Sequence, residues 1–170
     1  MGHVHISLIA LRALKLDAIW WLITPQNPLK KNAGPYAERL NNCLSITAPH
    51  PRILVTDIER QAGLTRSYDT LRFLKYRFPR TDFVWITGID NAHIFHKWYR
   101  WREILDLVPT AHIARPPAGQ LARMTSLRMM GKQRHTIVNR PLEASLAPHQ
   151  SYWILQQKML ALSSTALRTK

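Results

Sequence analysis

The chain has 170 residues, with 24 lysines and arginines against 10 acidic residues, for a formal charge of +14; 46% of it is hydrophobic and it holds six tryptophans. That length suits one domain with a real core, and the aromatic content excludes a disordered chain. The single cysteine, Cys43, excludes an intrachain disulfide framework and a cysteine-rich zinc module, and no apolar run approaches the ~20 residues that span a bilayer.

From the amino end, Ile6, Ile9, Ala10, Ala13 and Leu14 fall on one face of a helix over residues 3 to 15. Ala18 to Thr24 is a short continuous apolar run, the pattern of a strand buried on both faces of a parallel sheet. Pro25 and Pro28 then impose an extended loop, because the ring fixes φ and removes a donor. Pro35 starts a second helix carrying Tyr36, Leu40, Cys43 and Leu44, which Pro49 and Pro51 end. Arg52 to Ile58 reads as strand. Tyr68, Leu71, Leu74 and Phe78 mark a third helix, closed by Pro79. Asp82 to Thr87 is another apolar strand with Gly88 at its end. Residues 89 to 107 read as helix with a break near His96, and Thr110 to Arg115 as a short strand before Pro116 and Pro117.

Residues 118 to 150 are the least regular part, with only weak helical signal. From Asp106 to Glu143 no acidic residue intervenes, whereas Arg115, Arg123, Arg128, Lys132, Arg134 and Arg140 all occur. Such a run is a solvated basic face or a polyanion site. No zinc-finger, K-homology or RNA-recognition pattern accompanies it. Ser151 to Leu155 is a last strand, and Ser163 to Arg168 opens a terminal helix. Strands alternating with helices imply βαβ units: an α/β chain with a parallel sheet and helices on both faces. The chain opens on a helix, so the first β element is missing from this order.

Three loops follow apolar strands, where open α/β sheets place their ligands. They are Thr24-Pro25-Gln26-Asn27-Pro28-Leu29-Lys30, then Gly88-Ile89-Asp90-Asn91 with Trp98 and Trp101 beyond it, and Ser163-Ser164-Thr165-Ala166-Leu167-Arg168. The last puts hydroxyls, amides and a guanidinium at a helix start, an arrangement suited to phosphate. Gly2-His3 places an imidazole at the start of the first helix. No histidine pair has zinc-site spacing, and no GxSxG elbow, Walker loop or GxGxxG turn occurs.

In this order the motifs resemble the bacterial nicotinate-nucleotide adenylyltransferases, a family of H-x-G-H nucleotidyltransferases. The resemblance covers residues 2 to about 117 and 163 to 168. It implies one Rossmann-like α/β/α domain over residues 1–170, with 118–150 as a variable basic segment. It implies transfer of AMP from ATP to nicotinate mononucleotide, giving deamido-NAD and pyrophosphate, with Mg²⁺ accompanying ATP. By motif, Gly2 and His3 match the second half of H-x-G-H and, with Ser163, Ser164, Thr165 and Arg168, would bind ATP; His3 and Arg168 would carry the catalytic charge stabilisation. Trp98 would stack on the nicotinate ring and Asp90 would sit near a sugar. Tyr68 and Thr70 lie where the family supplies backbone contacts to the nicotinate carboxylate, and Asn27 and Lys30 where a loop meets the mononucleotide phosphate.

Two departures accompany the resemblance. The family pattern begins with a strand and a glycine-rich loop ending in H-x-G-H, whereas here Met1 stands directly before Gly2. Because the other motifs are intact, the expectation is a start codon assigned too far downstream rather than a decayed enzyme. The segment Ser67-Tyr68-Asp69-Thr70-Leu71 is about two residues shorter than the pattern. The competing readings are a sibling adenylyltransferase that uses nicotinamide mononucleotide or phosphopantetheine, a nucleic-acid binder acting through the basic segment, and an inactive truncated domain. A cytoplasmic setting, no membrane partner and no nucleic-acid partner complete the expectation.

Overall fold

Strands and helices alternate through the computed structural model, which describes residues 2–25, 34–114, 125–143 and 145–155. In chain order these are α1 (Gly2–Ala13), β1 (Ile19–Leu22), α2 (Tyr36–Thr47), β2 (Ile53–Thr56), α3 (Ile58–Gln61), α4 (Ser67–Arg77), β3 (Trp85–Gly88), α5 (Ile89–Ile94), α6 (Trp101–Leu107), β4 (Thr110–Ile113), β5 (Arg134–Ile137) and β6 (Gln150–Ile154). Short 3₁₀ turns cover Phe95–Lys97 and Ser126–Met129. Asn27, Lys30, the Arg115-Pro116-Pro117 segment and the expected terminal helix with Ser163, Ser164, Thr165 and Arg168 lie outside the described residues.

Every strand pair is parallel, as the alternating order requires, but the strands form two sheets rather than one: β1-β2 and β3-β4-β6-β5. Two hydrophobic clusters hold the layers. On one face, Ala10, Leu11, Ala13 and Leu14 pack on Ile19 and Ile53 of the small sheet and on Ala111, Ile113, Tyr152 and Ile154 of the large one, so α1 lies across both. On the other face, Tyr68 and Leu71 of α4, Ile89 and Ala92 of α5, and Ile104 and Leu105 of α6 pack around Phe95, Leu127 and Trp153. Burying each such aliphatic side chain contributes about 1.5–3 kcal/mol, so helices too short to persist alone are held by this packing.

The structure shifts several boundaries. Ile58 does not continue the strand from Arg52: the Thr56 hydroxyl accepts the Ile58 N–H at 3.2 Å and the chain turns into α3. Phe83 and Val84 precede β3, because pairing with β4 begins only at Trp85. The helix expected over 89 to 107 is broken as anticipated. Trp98 is extended and Arg100 takes a left-handed conformation (φ 51°), with its guanidinium 3.1 Å from Glu103. β5 lies in the basic segment where no strand was expected. It is a mostly exposed edge strand, and such edges carry polar residues in place of an apolar run.

A chain of buried polar side chains crosses the large sheet. Thr87 Oγ1 lies 2.8 Å from His112 Nδ1, His112 Nε2 is 3.1 Å from Thr110 Oγ1, and Thr110 Oγ1 is 2.9 Å from Ser151 Oγ, which accepts from Gln133 Nε2 at 2.9 Å. Burial, reinforced by the nearby His135, pushes the His112 pKa down to about 3. The imidazole is therefore a neutral member of the network.

Candidate active site

A cleft of about 1410 Å³ opens between β1 and β3. Trp20, near the amino end of β1, meets Phe78 and Phe83 edge to face, with ring centroids 5.1 and 5.8 Å apart. Phe83 stands just ahead of β3, so the amino ends of both strands lie at the same end of the cleft. Between the strands the walls are apolar: Ile19, Leu22, Val84 and Ile86, with Leu71 and Leu74 of α4. Beyond the carboxyl ends the lining turns polar, with Thr24 after β1, Asn91, Lys97 and Trp98 after β3, and Arg66 and Ser67 at the start of α4. This polar mouth is where an open α/β sheet holds its ligand.

Of the residues expected in a site, His3 and Trp98 both line this cleft. His3 is exposed in the first turn of α1, its ring 6.0 Å from Trp21 in an edge contact, and Gly2 opens the same helix. The Trp21 indole in turn donates to Ser7 Oγ at 2.9 Å, which ties α1 to β1. Trp98 is half-buried, tilted on Phe95 at 5.0 Å, and its indole nitrogen is buried with no hydrogen-bond partner among the described residues. Asp90 is exposed in the first turn of α5, and its neighbour Asn91 lines the cleft.

Tyr68 and Thr70 turn their side chains elsewhere. Tyr68 is buried under the guanidinium of Arg100, 4.7 Å from its ring, and Thr70 is fully buried. What α4 offers the cleft is its backbone. Its N-cap position, Arg66, makes no side-chain cap, and the first in-helix bond is donated by the Thr70 N–H to the Arg66 carbonyl at 3.0 Å. The preceding N–H groups of the first turn carry the partial positive charge that attracts an anion.

Two features were not singled out in the sequence. Glu59 is 4% exposed and lines the cleft; its Oε1 accepts from the Thr70 hydroxyl at 2.8 Å, while Oε2 is buried without a partner among the described residues. Arg39 donates to the carbonyls of Thr24 (3.0 Å), Pro25 (2.9 Å) and Gly34 (3.0 Å). It thereby clamps both stems of the loop that carries Asn27 and Lys30. Cys43 also lines the cleft, and burial raises its thiol pKa against the opposing pull of Arg39, which disfavours the nucleophilic thiolate.

Among the described residues the mouth thus combines an imidazole and a lysine, an aromatic face and an uncapped helix start, and shows no activated nucleophile. It can bind and align anionic ligands, and this suits direct transfer between two of them better than covalent catalysis. Among the described residues no group of three or more histidine, cysteine or acidic side chains is placed to hold a metal ion, and no helix is long and apolar enough to cross a membrane.

Comparison with known proteins identifies the family and the fold. The cytidylyltransferase-like family profile matches residues 1–170. A "probable nicotinate-nucleotide adenylyltransferase" of Cereibacter sphaeroides (strain ATCC 17025 / ATH 2.4.3) is 41% identical over 169 residues, covering 98% of this chain and 89% of that protein. One of Methylorubrum extorquens (strain PA1) with the same designation is 42% identical over 178 residues, covering 99% and 92%. The structure of Plasmodium falciparum nicotinic acid mononucleotide adenylyltransferase complexed with APC superposes with a TM-score of 0.64 over 99% of this chain and 75% of that one; at 16% identity it supports the Rossmann-like fold. The chain belongs to the cytidylyltransferase-like family and, within it, to the nicotinate-nucleotide adenylyltransferases.

Proposed function

We propose that the chain transfers the adenylyl group of ATP to nicotinate mononucleotide, forming deamido-NAD and pyrophosphate. The observation that carries this reading is the convergence of His3, Trp98 and the uncapped start of α4 on one polar cleft mouth. The acceptor's nicotinate ring lies on Trp98 and its carboxylate faces the first-turn amides of α4, with Asp90 near a ribose. Tyr68 and Thr70 serve by holding that turn in place. The loop clamped by Arg39 brings Asn27 and Lys30 to the acceptor phosphate.

The triphosphate of ATP lies against Gly2 and His3 at the start of α1, with Ser163, Ser164, Thr165 and Arg168 completing its site. An acceptor phosphate oxygen attacks the α-phosphorus in line: the new P–O bond forms as the bond to the β-phosphate oxygen breaks, and pyrophosphate leaves with the electron pair. His3 and Arg168 stabilise the charge that develops on the phosphate oxygens. Magnesium would enter as part of the substrate, MgATP, since this ion commonly binds through substrate phosphates. No step is assigned to it. A cytoplasmic location belongs to the same proposal.

The test is an acceptor panel. Purified protein with MgATP is given nicotinate mononucleotide, nicotinamide mononucleotide or phosphopantetheine, and dinucleotide product and pyrophosphate are measured together. The expected result is equimolar deamido-NAD and pyrophosphate, with nicotinate mononucleotide preferred. Preference for another acceptor, or no transfer to any, would overturn the reading.

A further inference from the structure

α1 separates two cavities. His3, Ile6, Ser7 and Leu14 line the cleft, whereas His5, Leu8, Ile9 and Arg12 line a second cavity of about 430 Å³ that shares no residue with the first. At 3.6 residues per turn the two sets fall on opposite sides of the helix. The far wall of the second cavity is the segment after β5, with Val138, Asn139 and Arg140. Arg140 belongs to the acid-free basic run, which the proposed reaction does not use.

The fold fixes this far wall at both ends. The Val138 N–H donates to the Trp153 carbonyl of β6 at 2.8 Å, and the Leu142 N–H donates to the Ala13 carbonyl at the end of α1 at 2.9 Å. Val138 is buried, so the segment is anchored on the large sheet and on α1, with Arg140 between the anchors. The charge of the cavity is one-sided. Arg12 and Arg140 reach it from segments far apart in sequence, and among the described residues no acidic side chain lines it. Arg12 suits the last turn of α1, where a cation meets the negative end of the helix dipole, but that does not account for Arg140. His5 is half-buried in the same wall, and its Nε2 is buried with no hydrogen-bond partner among the described residues. Two guanidinium groups brought to one cavity repel each other unless an anion joins them, and their forked donors match phosphate.

We infer that this second cavity binds a small molecule carrying one phosphate group on an apolar, planar body. Arg12 and Arg140 take the phosphate, His5 and Asn139 offer further hydrogen bonds, and Leu8, Ile9 and Val138 cover the body. The volume of about 430 Å³ lies within the roughly 300–1,000 Å³ of small-molecule sites. A concave wall anchored at both ends favours such a ligand over a nucleic-acid strand, whose phosphates run along an open basic groove. The occupant bridges α1 and the basic segment from outside the cleft and stabilises the native state by binding it.

Backbone-amide and histidine side-chain NMR of the 170-residue chain tests this, with phenyl phosphate, inorganic phosphate and phenol as probes. The expected result is saturable shifts at His5, Ile9, Arg12 and Asn139, with phenyl phosphate bound more tightly than inorganic phosphate and phenol giving no saturation. Replacing both exposed arginines, Arg12→Ala with Arg140→Ala, should weaken phenyl phosphate at these positions by about tenfold or more and leave the thermal midpoint without ligand in place. His3→Ala should leave the same binding intact, which separates this cavity from the cleft; none of these readouts depends on adenylyl transfer. Should the double variant fold poorly, Arg140→Gln alone gives the same comparison. Shifts confined to the cleft, or equal affinity after the arginines are replaced, would overturn the inference. Shifts at these positions with a single-stranded oligonucleotide and none with phenyl phosphate would overturn it in favour of nucleic acid.

Discussion

The hydroxyl of Thr70 donates to Oε1 of Glu59 at 2.8 Å, and both residues are buried. This bond joins α3 to the first turn of α4, the turn whose amides open into the cleft. Thr70→Val keeps the shape but leaves the buried carboxylate oxygen without its donor, a loss of about 1–3 kcal/mol. Urea unfolding measures it, and KM for the acceptor should rise more than KM for ATP. Unchanged stability would show that the pair does not hold α4.

Trp98 offers a half-buried indole face at the cleft mouth. Stacking of a base-like ring on an aromatic is worth about 1–3 kcal/mol. Trp98→Ala should therefore raise acceptor KM by roughly 5- to 150-fold, with ATP KM little changed, and Trp98→Phe should recover most of it. Steady-state kinetics with each substrate varied in turn checks this.

His3 is exposed, so its replacement should leave the unfolding midpoint in place. Removing one donor to developing phosphate charge lowers turnover by about 10²- to 10³-fold. His3→Ala is expected to show that loss in kcat, and His3→Gln, which keeps a donor, a smaller one.

The buried His112 makes stability depend on pH. Its folded pKa is about 3 against an ordinary 6.5, so below pH 6.5 the unfolded chain binds a proton that the folded one does not. Stability is therefore full above pH 6.5 and falls as pH drops toward 3, with a slope of up to about 1.4 kcal/mol per pH unit from this residue. Urea unfolding of the wild type and of His112→Gln between pH 7.5 and pH 4 isolates it. The variant should lose about one proton's worth of slope, and identical slopes would contradict the assignment.

Arg39 binds carbonyls on both stems of the loop after β1. Arg39→Ala should raise acceptor KM while leaving ATP KM near its original value, and limited proteolysis should cut between residues 25 and 34 faster. Equal effects on both substrates would point to a general loss of fold.

Much of this architecture is legible in local sequence. β1, β2, β3, β4 and β6 each announce themselves as a short apolar run, because each is flanked by strands or helices. β5 does not, since an exposed edge needs no apolar face. The division into two sheets is invisible locally, because pairing partners are far apart in sequence: Ile19 meets Ile53, and Thr110 meets Ser151. In the site, His3 and Trp98, singled out by motif order, both line the cleft. Glu59 is not legible in this way, because Thr-Asp-Ile-Glu reads as the exposed end of a strand, and only the turn at Thr56 carries that carboxylate inward. Nor does the sequence reveal that Thr70 is spent on Glu59 rather than turned toward a ligand.

The central claim is that the mouth of one cleft holds both reactants, with His3 on the triphosphate and Trp98 on the acceptor ring. A crystal structure of the protein with a non-hydrolysable ATP analogue and nicotinate mononucleotide tests it most directly. The account requires an imidazole nitrogen of His3 about 3 Å from a phosphate oxygen, the pyridine ring stacked on Trp98, and the acceptor phosphate in line with the α-phosphorus. Ligands bound on different surfaces, or an acceptor ring remote from Trp98, would contradict it.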